Sequence, residues 1–404
     1  MKILFLSSTD NVGGAGILAF KLAENLEKTY SCETVFLVGK KFSNRENVTQ
    51  TRGAAVWFIE KVFEKFLSFL GFQYAYIPFS SRRILKEIKK FKPDIIHINN
   101  IHGGYIDLRT LSKILKSNYV VWTFHDMFNF TGHCAHSFDC LKWMDGCGKC
   151  PALWIPPKIG KDSTRKLLKA KKETLNVASY KIVTPSAWLK ACVEQSILSK
   201  QEIRLIYNGI DKTNFERIDK IEARKRLELP KDKTIVLFSA NNSYNNPFKG
   251  SQFVKDICSR FRDSKDVLFV NVGGEIVGST DNEYSFGYVD CPKKMAEIYS
   301  ASDILLFPTL AEVFGLVVAE AMACGLPVVT FDTGGVPEIV RHMKDGYVAE
   351  KGNLQDLILG MELLLNKVDM RDEMSRSALK RVSGKFDILS MTKEYYDLYL
   401  ETLK

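Results

Sequence analysis

Short runs of apolar residues alternate with helical patterns along almost the whole chain. Continuous apolar runs of this length predict buried parallel strands, because a strand covered by helices on both faces has no polar side. The runs fall into two series, separated by the polar stretch 211–232. The first series comprises residues 3–6, 34–38, 94–98, 119–123 and 181–184, and the second comprises residues 234–238, 267–272, 304–307 and 327–330. The pattern predicts an α/β protein with two doubly wound, Rossmann-like domains.

The domain boundary is expected near the polar stretch between the two series. We place a first domain at residues 1–215 and a second at residues 216–385. The last segment, residues 386–404, carries a helical pattern rich in tyrosine and is expected to pack back on the first domain. In open parallel sheets, ligands bind at the carboxyl ends of the strands. Two such domains facing each other therefore predict a cleft with a half-site on each side.

Composition excludes several classes of protein. Of the 404 residues, 46% are hydrophobic and 26% are charged, which excludes global disorder. No apolar run reaches the ~20 residues that span a bilayer, and the N-terminus reads as a first strand rather than a signal peptide. Nine cysteines do not make a secreted disulfide scaffold of this length. The cytoplasm is therefore the expected compartment.

A glycine-rich loop, Gly13-Gly14-Ala15-Gly16, separates the first strand from the first helical pattern. Glycine permits close approach of the backbone, and a helix N-terminus offers free N–H groups to an anion. The order of the glycines differs from the dinucleotide-binding pattern, and no acidic residue closes the second strand. The loop predicts either a phosphate cradle or a tight turn without a ligand.

Two glutamates, Glu312 and Glu320, flank the predicted start of a helix near Gly315 in the second domain. Glu320 lies in an otherwise apolar helical stretch, residues 317–323. A carboxylate in such a setting needs a partner, and the hydroxyl groups of a ribose would serve.

Residues 301–346 resemble the nucleotide-sugar domain of retaining glycosyltransferases with the GT-B fold. This stretch combines the Glu-x7-Glu spacing with the sequences Glu-Ala-Met-Ala-Cys-Gly-Leu-Pro-Val-Val, Gly-Gly-Val-Pro-Glu and Asp-Gly. Family-like elements keep the expected order elsewhere, at residues 13–14, 184–186, 207–211, 248–250 and 286–288. The resemblance therefore covers essentially the whole chain, and it implies two facing domains with a C-terminal helix that returns to the first.

The resemblance also implies a role for each matching residue. Glu320 would bind the donor ribose, Glu312 would contact the donor sugar or its phosphate, and Lys249 would balance the diphosphate as a cation. The backbone N–H groups of Val313, Phe314 and Gly315, at a helix N-terminus, would bind the diphosphate. The loop with Tyr288 would hold the base, and Gly13 and Gly14 would approach the phosphates from across the cleft. In one departure, the Arg that the family often carries before the Lys is absent, and Asn241 and Asn242 stand in that region.

His125 follows a first-domain strand, and at this position a functional role is favoured over a structural one. The resemblance gives it a donor-contacting role at the reaction centre, so His125 and Glu312 are the candidate catalytic residues. The preceding strand ends in His97-Ile98-Asn99-Asn100-Ile101-His102. These polar residues either line the acceptor side or cap the strand.

Four of the nine cysteines are clustered, with the spacing Cys-x5-Cys-x6-Cys-x2-Cys: Cys134, Cys140, Cys147 and Cys150. Two histidines lie beside the first of them, and the arrangement is typical of a metal site. The segment resembles a colanic-acid-type subgroup of these transferases. A structural zinc site, disulfides and free packing thiols are the competing interpretations.

A catalytic metal is not expected, because the chain contains no Asp-x-Asp motif. Transferases of the other main fold use that motif to hold a divalent ion on the diphosphate. Here Lys249 and helix N-termini would take the place of the ion. The expected donor is a nucleotide diphosphate sugar, with UDP favoured over GDP as the carrier.

Charge is divided unevenly between the two halves: residues 1–215 carry net +14 and residues 216–404 carry net −4. The first half also contains an aromatic stretch, residues 55–79, followed by a basic stretch, residues 82–92. Aromatic and basic helices side by side are typical of a surface that binds an anionic membrane. The alternative is a core helix beside a solvated basic face. No nucleic-acid-binding motif accompanies the basic residues.

Together these observations predict a retaining glycosyltransferase that moves a sugar from a nucleotide diphosphate sugar to a hydroxyl of a glycan. The glycan acceptor is expected to be linked to a lipid and to belong to surface polysaccharide assembly. We expect it to work as a peripheral protein on the inner face of the plasma membrane. Two alternatives stay open: a nucleotide-sugar epimerase of related fold, and a catalytically silent protein that binds a glycan or a membrane.

Overall fold

The computed structural model describes residues 1–239, 248–273 and 282–404. These residues form two compact units. Unit 1 comprises residues 1–207 and 389–404, and unit 2 comprises residues 208–388. The division falls a few residues before the boundary expected from the sequence, and the C-terminal segment belongs to unit 1, as expected for this fold.

Unit 1 contains a parallel sheet whose strands are β1 (Lys2–Thr9), β2 (Glu33–Lys40), β3 (Val48–Gln50), β4 (Ile95–Ile98), β5 (Val120–Thr123), β6 (Lys181–Thr184) and β7 (Glu202–Leu205). In space they follow the order β3-β2-β1-β4-β5-β6-β7. The strand order reverses between β1 and β4, and such a switch point opens a crevice at the carboxyl ends of the two strands.

Unit 2 repeats this plan with β8 (Thr234–Ser239), β9 (Val267–Val272), β10 (Glu283–Ser285), β11 (Ile304–Phe307), β12 (Val328–Phe331) and β13 (Gly346–Ala349). The spatial order is β10-β9-β8-β11-β12-β13, and every pair of neighbours is parallel. Its switch point lies between β8 and β11.

Helices connect the strands. In unit 1 they are α1 (Gly13–Tyr30), α2 (Ala54–Phe69), α3 (Pro78–Phe91), α4 (Leu108–Ser117), α5 (Lys142–Asp145), α6 (Thr164–Leu175) and α7 (Ala187–Glu194). In unit 2 they are α8 (Lys220–Arg226), α9 (Ser251–Arg260), α10 (Pro292–Ala301), α11 (Leu316–Ala323), α12 (Val336–Ile339), α13 (Leu354–Asn366) and α14 (Val368–Lys385). The last helix, α15 (Ile388–Thr402), starts at the end of unit 2 and continues in unit 1.

The nine predicted strands are all present, and the α/β fold with two Rossmann-like sheets is confirmed. The four strands that the apolar pattern missed are β3, β7, β10 and β13, and each lies at the edge of its sheet. An edge strand has one neighbour only, so it stays short and partly exposed and leaves no continuous apolar run in the sequence. The central strands show the opposite pattern, since all four residues of β4, β5, β11 and β12 are buried.

The C-terminal helix is held to the first sheet by a buried polar cluster around His97. The Nδ1 of His97 lies 2.5 Å from the hydroxyl oxygen of Tyr399, and its Nε2 lies 2.8 Å from Oγ1 of Thr123. The hydroxyl of Tyr395 completes the cluster, 2.9 Å from Oγ1 of Thr123. Burial lowers the pKa of His97 to about 3. His97 therefore serves the packing of α15 and does not line an acceptor site, whereas the two interpretations of Asn99, Asn100 and His102 both stay open.

Among the helices of the described residues, we find none that combines the length and the apolar character needed to span a membrane.

We predict that Tyr399→Phe lowers the free energy of unfolding by about 1–3 kcal/mol, because it leaves a ring nitrogen of buried His97 without its partner. Denaturant unfolding, followed by a probe in unit 1, measures the change. Tyr396→Phe is the matched control: Tyr396 stacks on Tyr30 with ring centroids 3.9 Å apart and should lose less than about 0.5 kcal/mol. Equal losses in the two variants would contradict the role given to the His97 cluster.

Candidate active site

The carboxyl edge of the first sheet carries His125 and Asn99, which follow the neighbouring strands β5 and β4. The Nε2 of His125 lies 3.2 Å from Oδ1 of Asn99. Burial lowers the pKa of His125 to about 4, although the nearby Asp126 acts in the opposite direction. The imidazole is therefore neutral at neutral pH, and it can donate or accept a hydrogen bond but does not supply a positive charge.

Two buried polar groups near this edge have no hydrogen-bonding partner among the described residues: Oγ of Ser7 and Nδ2 of Asn99. Their side chains are almost inaccessible, at 1% and 3% exposure. Buried polar groups normally have partners, ordered water among them, so these two groups keep unused hydrogen-bonding capacity.

A second pair at the same edge joins His102 to Asp126, the residue after His125. The Nε2 of His102 lies 2.7 Å from Oδ2 of Asp126, and the N–H of Phe128 donates to Oδ1 of the same carboxylate at 2.9 Å. Burial would raise the pKa of Asp126, but the charge and hydrogen bonds of His102 and the Phe128 N–H outweigh it and lower that pKa. Asp126 is therefore a carboxylate whose two oxygens fix the turn that carries His125.

The loop after β5 is further held by Lys171, a buried residue of α6. Its Nζ donates to the carbonyl oxygens of Phe128 at 2.5 Å and Thr131 at 3.0 Å. Burial lowers the pKa of Lys171 to about 7. Lys171 therefore holds the segment that follows His125 through two hydrogen bonds to its backbone. The sequence pattern did not predict this role.

Gly13 and Gly14 form the exposed first turn of α1, an eighteen-residue helix. Gly13 has φ of +73°, in the left-handed region that favours glycine, and a side chain there would project into open space. The loop before them is fixed by buried Asp10, which accepts the N–H groups of Phe42 at 2.8 Å and Ser43 at 2.7 Å. The first turn of α1 thus follows a loop held by hydrogen bonds, and its N–H groups have no acceptor within the helix.

In unit 2, Lys249 and Glu312 come from the loops on either side of the switch point. The Nζ of Lys249 lies 3.0 Å from Oε2 of Glu312. Their loops are joined through the carbonyl oxygen of Phe248, which accepts the N–H of Leu310 at 2.8 Å and the hydroxyl of Thr309 at 2.9 Å. The two side chains are partly exposed, at 37% and 21%. The pair is accessible to solvent, and a bound anion could replace Glu312 as the ion-pairing partner of Lys249.

The stretch Val313–Gly315 leads directly into α11. Gly315 is the N-cap with φ of +106°, which confirms the predicted start of this helix. The N–H of Val313 donates to Oε1 of Glu312 at 3.2 Å. The following N–H groups, from Gly315 onwards, have no acceptor within the helix until Val318 donates to Gly315 at 3.0 Å. These groups and the positive end of the helix dipole make an anion-binding position beside Lys249.

Glu320 lies farther along α11 with its carboxyl group largely enclosed by the protein. Burial raises the pKa of this carboxyl to about 7, and a weak hydrogen bond from Tyr299 only partly offsets the effect. The hydroxyl oxygen of Tyr299 is 3.4 Å from Oε2, near the limit of a hydrogen bond. The carboxyl therefore keeps capacity for further donors, such as the hydroxyl groups of a sugar.

Tyr288 is the residue expected to hold the base of the donor. The side chain of Tyr288 is 73% exposed, and its contact with the base stays a prediction. Asn241 and Asn242, at the position where the family often has an Arg, lie outside the described residues.

The four clustered cysteines line one small cavity of about 20 Å³, together with His133. The Sγ of Cys150 lies 3.5 Å from Nε2 of His133, and burial raises the pKa of Cys134 to about 11. A cavity of this size has room for about one water-sized body. However, in the parts of the chain that the structure describes, no group of three or more His, Cys, Asp or Glu side chains is placed to hold a metal ion. The geometry therefore does not support the zinc interpretation, which stays a prediction.

The structure thus gathers the predicted residues into two clusters. One contains His125 with Asn99 in unit 1, and the other contains Lys249 and Glu312 beside the N-terminus of α11 in unit 2, with Glu320 farther along the same helix. Sequence reasoning missed Ser7, Asp126 and Tyr299, and it treated Asn99 and His102 only as members of a polar stretch. For Ser7, Asn99, His102 and Asp126 a position just after a predicted strand was the one signal available, whereas Tyr299 lies within α10 and carried no such signal.

Family models match both halves of the chain. Residues 12–214 match the model described as Glycosyltransferase Family 4, and residues 219–381 match the model described as Glycosyl transferases group 1. A curated relative, the putative colanic acid biosynthesis glycosyl transferase WcaC of Escherichia coli, is 23% identical over 321 residues, which cover 76% of each protein.

Solved structures share the fold over nearly their whole length. The sucrose-phosphate synthase of Thermosynechococcus elongatus superposes with a TM-score of 0.72 at 18% identity, over 99% of this chain and 98% of that one. Anabaena HepE, solved in complex with UDP-glucose, gives a TM-score of 0.68 at 17% identity, over 99% and 100% of the two chains. The chain belongs to the GT-B-fold glycosyltransferases, with a Glycosyltransferase Family 4 region followed by a group 1 region.

Proposed function

We propose that this glycosyltransferase takes a sugar from a nucleotide diphosphate sugar and transfers it, with retention of anomeric configuration, to a hydroxyl of a glycan acceptor. The observation that carries the proposal is the arrangement in unit 2. A lysine, a helix N-terminus and a carboxyl with spare hydrogen-bonding capacity follow one another around a sheet switch point.

The diphosphate of the donor suits the position between Lys249 and the first turn of α11. The Nζ of Lys249 lies 3.0 Å from Oε2 of Glu312. A diphosphate carries more negative charge than one carboxylate and accepts bonds from several donors at once. We propose that it draws Lys249 away and leaves Glu312 free to face the sugar.

Glu320 supplies the contact to the ribose. Its carboxylate form accepts hydrogen bonds from hydroxyl groups, and such bonds favour the charged form that burial disfavours. Ribose binding and ionisation of Glu320 are therefore coupled, so the affinity for the nucleotide depends on pH.

The transfer step needs no carboxylate nucleophile from the protein. The bond between the anomeric carbon and the diphosphate oxygen breaks, and the acceptor oxygen bonds to the same face of that carbon. The acceptor proton passes to an oxygen of the leaving diphosphate. Neutral His125, held by Asn99, would orient the reacting sugar by a hydrogen bond. Lys249 and the N–H groups of α11 would stabilise the leaving group.

UDP is the favoured nucleotide, with GDP as the alternative; the UDP-glucose complex of the structural neighbour HepE supports this choice. The acceptor is proposed to be a lipid-linked glycan of surface polysaccharide assembly, in line with the colanic acid relative. The net +14 of residues 1–215 suits attachment to the inner face of an anionic membrane.

A screen of UDP- and GDP-sugars tests the proposal. Each donor is incubated with the protein, with and without lipid-linked glycans, and release of nucleotide and the configuration of the product are measured. Acceptor-dependent transfer with retention is expected. Conversion of the donor into an epimer without an acceptor would replace this function by an epimerase, and donor binding without turnover would indicate a silent binding protein.

Nucleotide-sugar affinity should fall as the pH drops below about 7. Burial raises the pKa of Glu320 to about 7, so Glu320 is protonated at lower pH and ribose binding must displace that proton. We expect binding about tenfold weaker at pH 6 than at pH 8, measured by calorimetry with the tightest donor of the screen.

Glu320→Gln is the matched variant for this titration. It should bind about 1–3 kcal/mol more weakly at pH 8, since it loses a charge-assisted bond, and its affinity should be nearly constant from pH 6 to pH 8. A variant with the wild-type affinity, or with the wild-type pH profile, would remove Glu320 from the ribose site.

Activity should survive treatment with EDTA, because protein groups neutralise the diphosphate. The same assay with added Mg²⁺ is the control. Loss of turnover that Mg²⁺ restores would show that the metal-free mechanism is wrong.

Metal analysis of the purified protein tests the cysteine cluster separately. One zinc per chain that is lost on Cys147→Ser but kept on Cys192→Ser, a cysteine outside the cluster, would support a structural zinc. Absence of metal from the wild-type protein would leave disulfides or free thiols, which thiol titration distinguishes.

A further inference from the structure

Helix α2 has its polar and apolar sides reversed with respect to an ordinary amphipathic helix. The only fully buried residue among its sixteen is the charged Glu60. Its large apolar side chains point outward with exposures of 42–65%: Phe58, Ile59, Val62, Phe63, Phe66 and Phe69. Isolated exposed apolar residues are common, but a continuous patch of this kind marks a binding surface.

The reversed orientation is fixed by a buried network around Glu60. One carboxylate oxygen accepts from Arg52 Nη1 at 3.0 Å, and the other accepts the N–H groups of Phe79 and Ser80, each at 3.0 Å. Arg52 also donates to the carbonyl oxygens of the glycines at residues 103–104. Turning α2 to bury its phenylalanines would expose or break this network, and an unpaired buried charge is costly. The apolar side is therefore held toward the outside.

Next to α2, a groove of about 500 Å³ between α3 and α4 is lined by five cations. These cations are Arg82, Lys86, Lys89, Arg109 and Lys113. Among the described residues, none of the five forms an ion pair with an acidic side chain. The one carboxylate in the groove, Asp107, is already engaged, because it accepts the N–H groups of Thr110 at 2.7 Å and Ile77 at 3.3 Å. The groove therefore presents uncompensated positive charge.

The apolar side and the cationic groove adjoin at Tyr76. This side chain lines the groove, and its ring packs edge-on against Phe63 of α2 with centroids 6.3 Å apart. Phe79, at the start of α3, is 57% exposed. Apolar insertion and anion binding can thus act on the same surface at the same time.

We propose that the apolar side of α2 and the groove between α3 and α4 form one docking surface for an anionic bilayer. The phenylalanines enter the interfacial layer, and the five cations bind the phosphates of lipid headgroups. This deepens the proposed function, since it rests on a lipid-linked acceptor and assigns the surface that brings the enzyme to it. A symmetric dimer through the same surface would bring two uncompensated cationic grooves close together, whereas a phosphate-rich bilayer neutralises them.

The docking surface is linked to the candidate active site through Glu64, on the inner side of α2. Its carboxylate lies against Gly104, where a Cβ atom on that residue would stand, and Gly104 is two residues after His102. A bilayer bound to α2 would therefore lie near the loop that carries His102, so a lipid-linked acceptor would reach this loop without leaving the membrane.

Vesicle flotation with the full chain tests the surface. We expect binding to phosphatidylcholine vesicles that contain phosphatidylglycerol, release as salt rises, and weak binding to pure phosphatidylcholine. The groove variant R82Q/K86Q/K89Q should bind about a hundredfold more weakly, because each basic residue contributes roughly fivefold. The apolar variant F58S/F66S/F69S should lose binding even at low salt.

Matched control variants lie in unit 2. K225Q/K231Q/K265Q removes the same charge from exposed lysines, and I221S/L359S removes exposed apolar side chains. Both should float like the wild type. Flotation that falls equally in the groove variant and in K225Q/K231Q/K265Q would overturn the assignment and indicate a general charge effect.

Three further outcomes are decisive. Absence of flotation on anionic vesicles overturns the proposal. A dimer that sedimentation detects and that F58S/F66S/F69S dissociates, without flotation, overturns it in favour of a second copy of the chain. Donor binding is measured on the same samples: its loss with flotation intact would overturn the proposed function but support the docking surface.

Discussion

The whole arrangement depends on one constraint of parallel sheets, namely that all strands end at the same edge. In each sheet the strand order reverses once, between β1 and β4 in unit 1 and between β8 and β11 in unit 2. Loops on the two sides of such a reversal run in opposite directions and leave a crevice between them. His125 and Asn99 lie beside the first reversal, and Lys249 and Glu312 lie at the second. The strand order thus determines where a ligand can bind, and the side chains at each crevice determine which groups would contact it.

Buried carboxylates fall into two groups that help to separate structure from function. Asp10 and Asp303 have their oxygens filled by N–H groups or by arginine and lysine: Asp303, for example, accepts Arg224 at 2.6 Å, Lys220 at 2.7 Å and the N–H of Ile235 at 2.7 Å. Among the described residues, Glu320 has only the long contact from Tyr299. A filled carboxylate stabilises the fold, whereas a carboxylate with open positions, kept at the cost of desolvation, is expected where a ligand binds.

The sequence was informative where neighbours in the chain decide the structure and uninformative where distant residues do. Central strands, the start of α11 and the positions of Glu312 and Glu320 followed from local pattern and resemblance. The roles of His97 and His102, by contrast, could not be separated, because they depend on Tyr399 and Asp126, which other parts of the chain supply. Likewise, the aromatic pattern of α2 fitted a core helix and a membrane surface equally well. Only the pairing of Glu60 with Arg52 shows which side of the helix faces inward.

The return of α15 to unit 1 has a consequence for how the protein is made. Residues 389–404 follow all of unit 2 in the chain, yet they cover His97 and Thr123 in the middle of the first sheet. During synthesis the first 207 residues leave the ribosome long before this cover exists, with the polar cluster of the sheet open to water. Unit 2 has a continuous sequence and can fold as soon as it emerges. Unit 1 would then be the last to reach its final packing. A chain that ends before α15 would leave the polar cluster around His97 exposed to water.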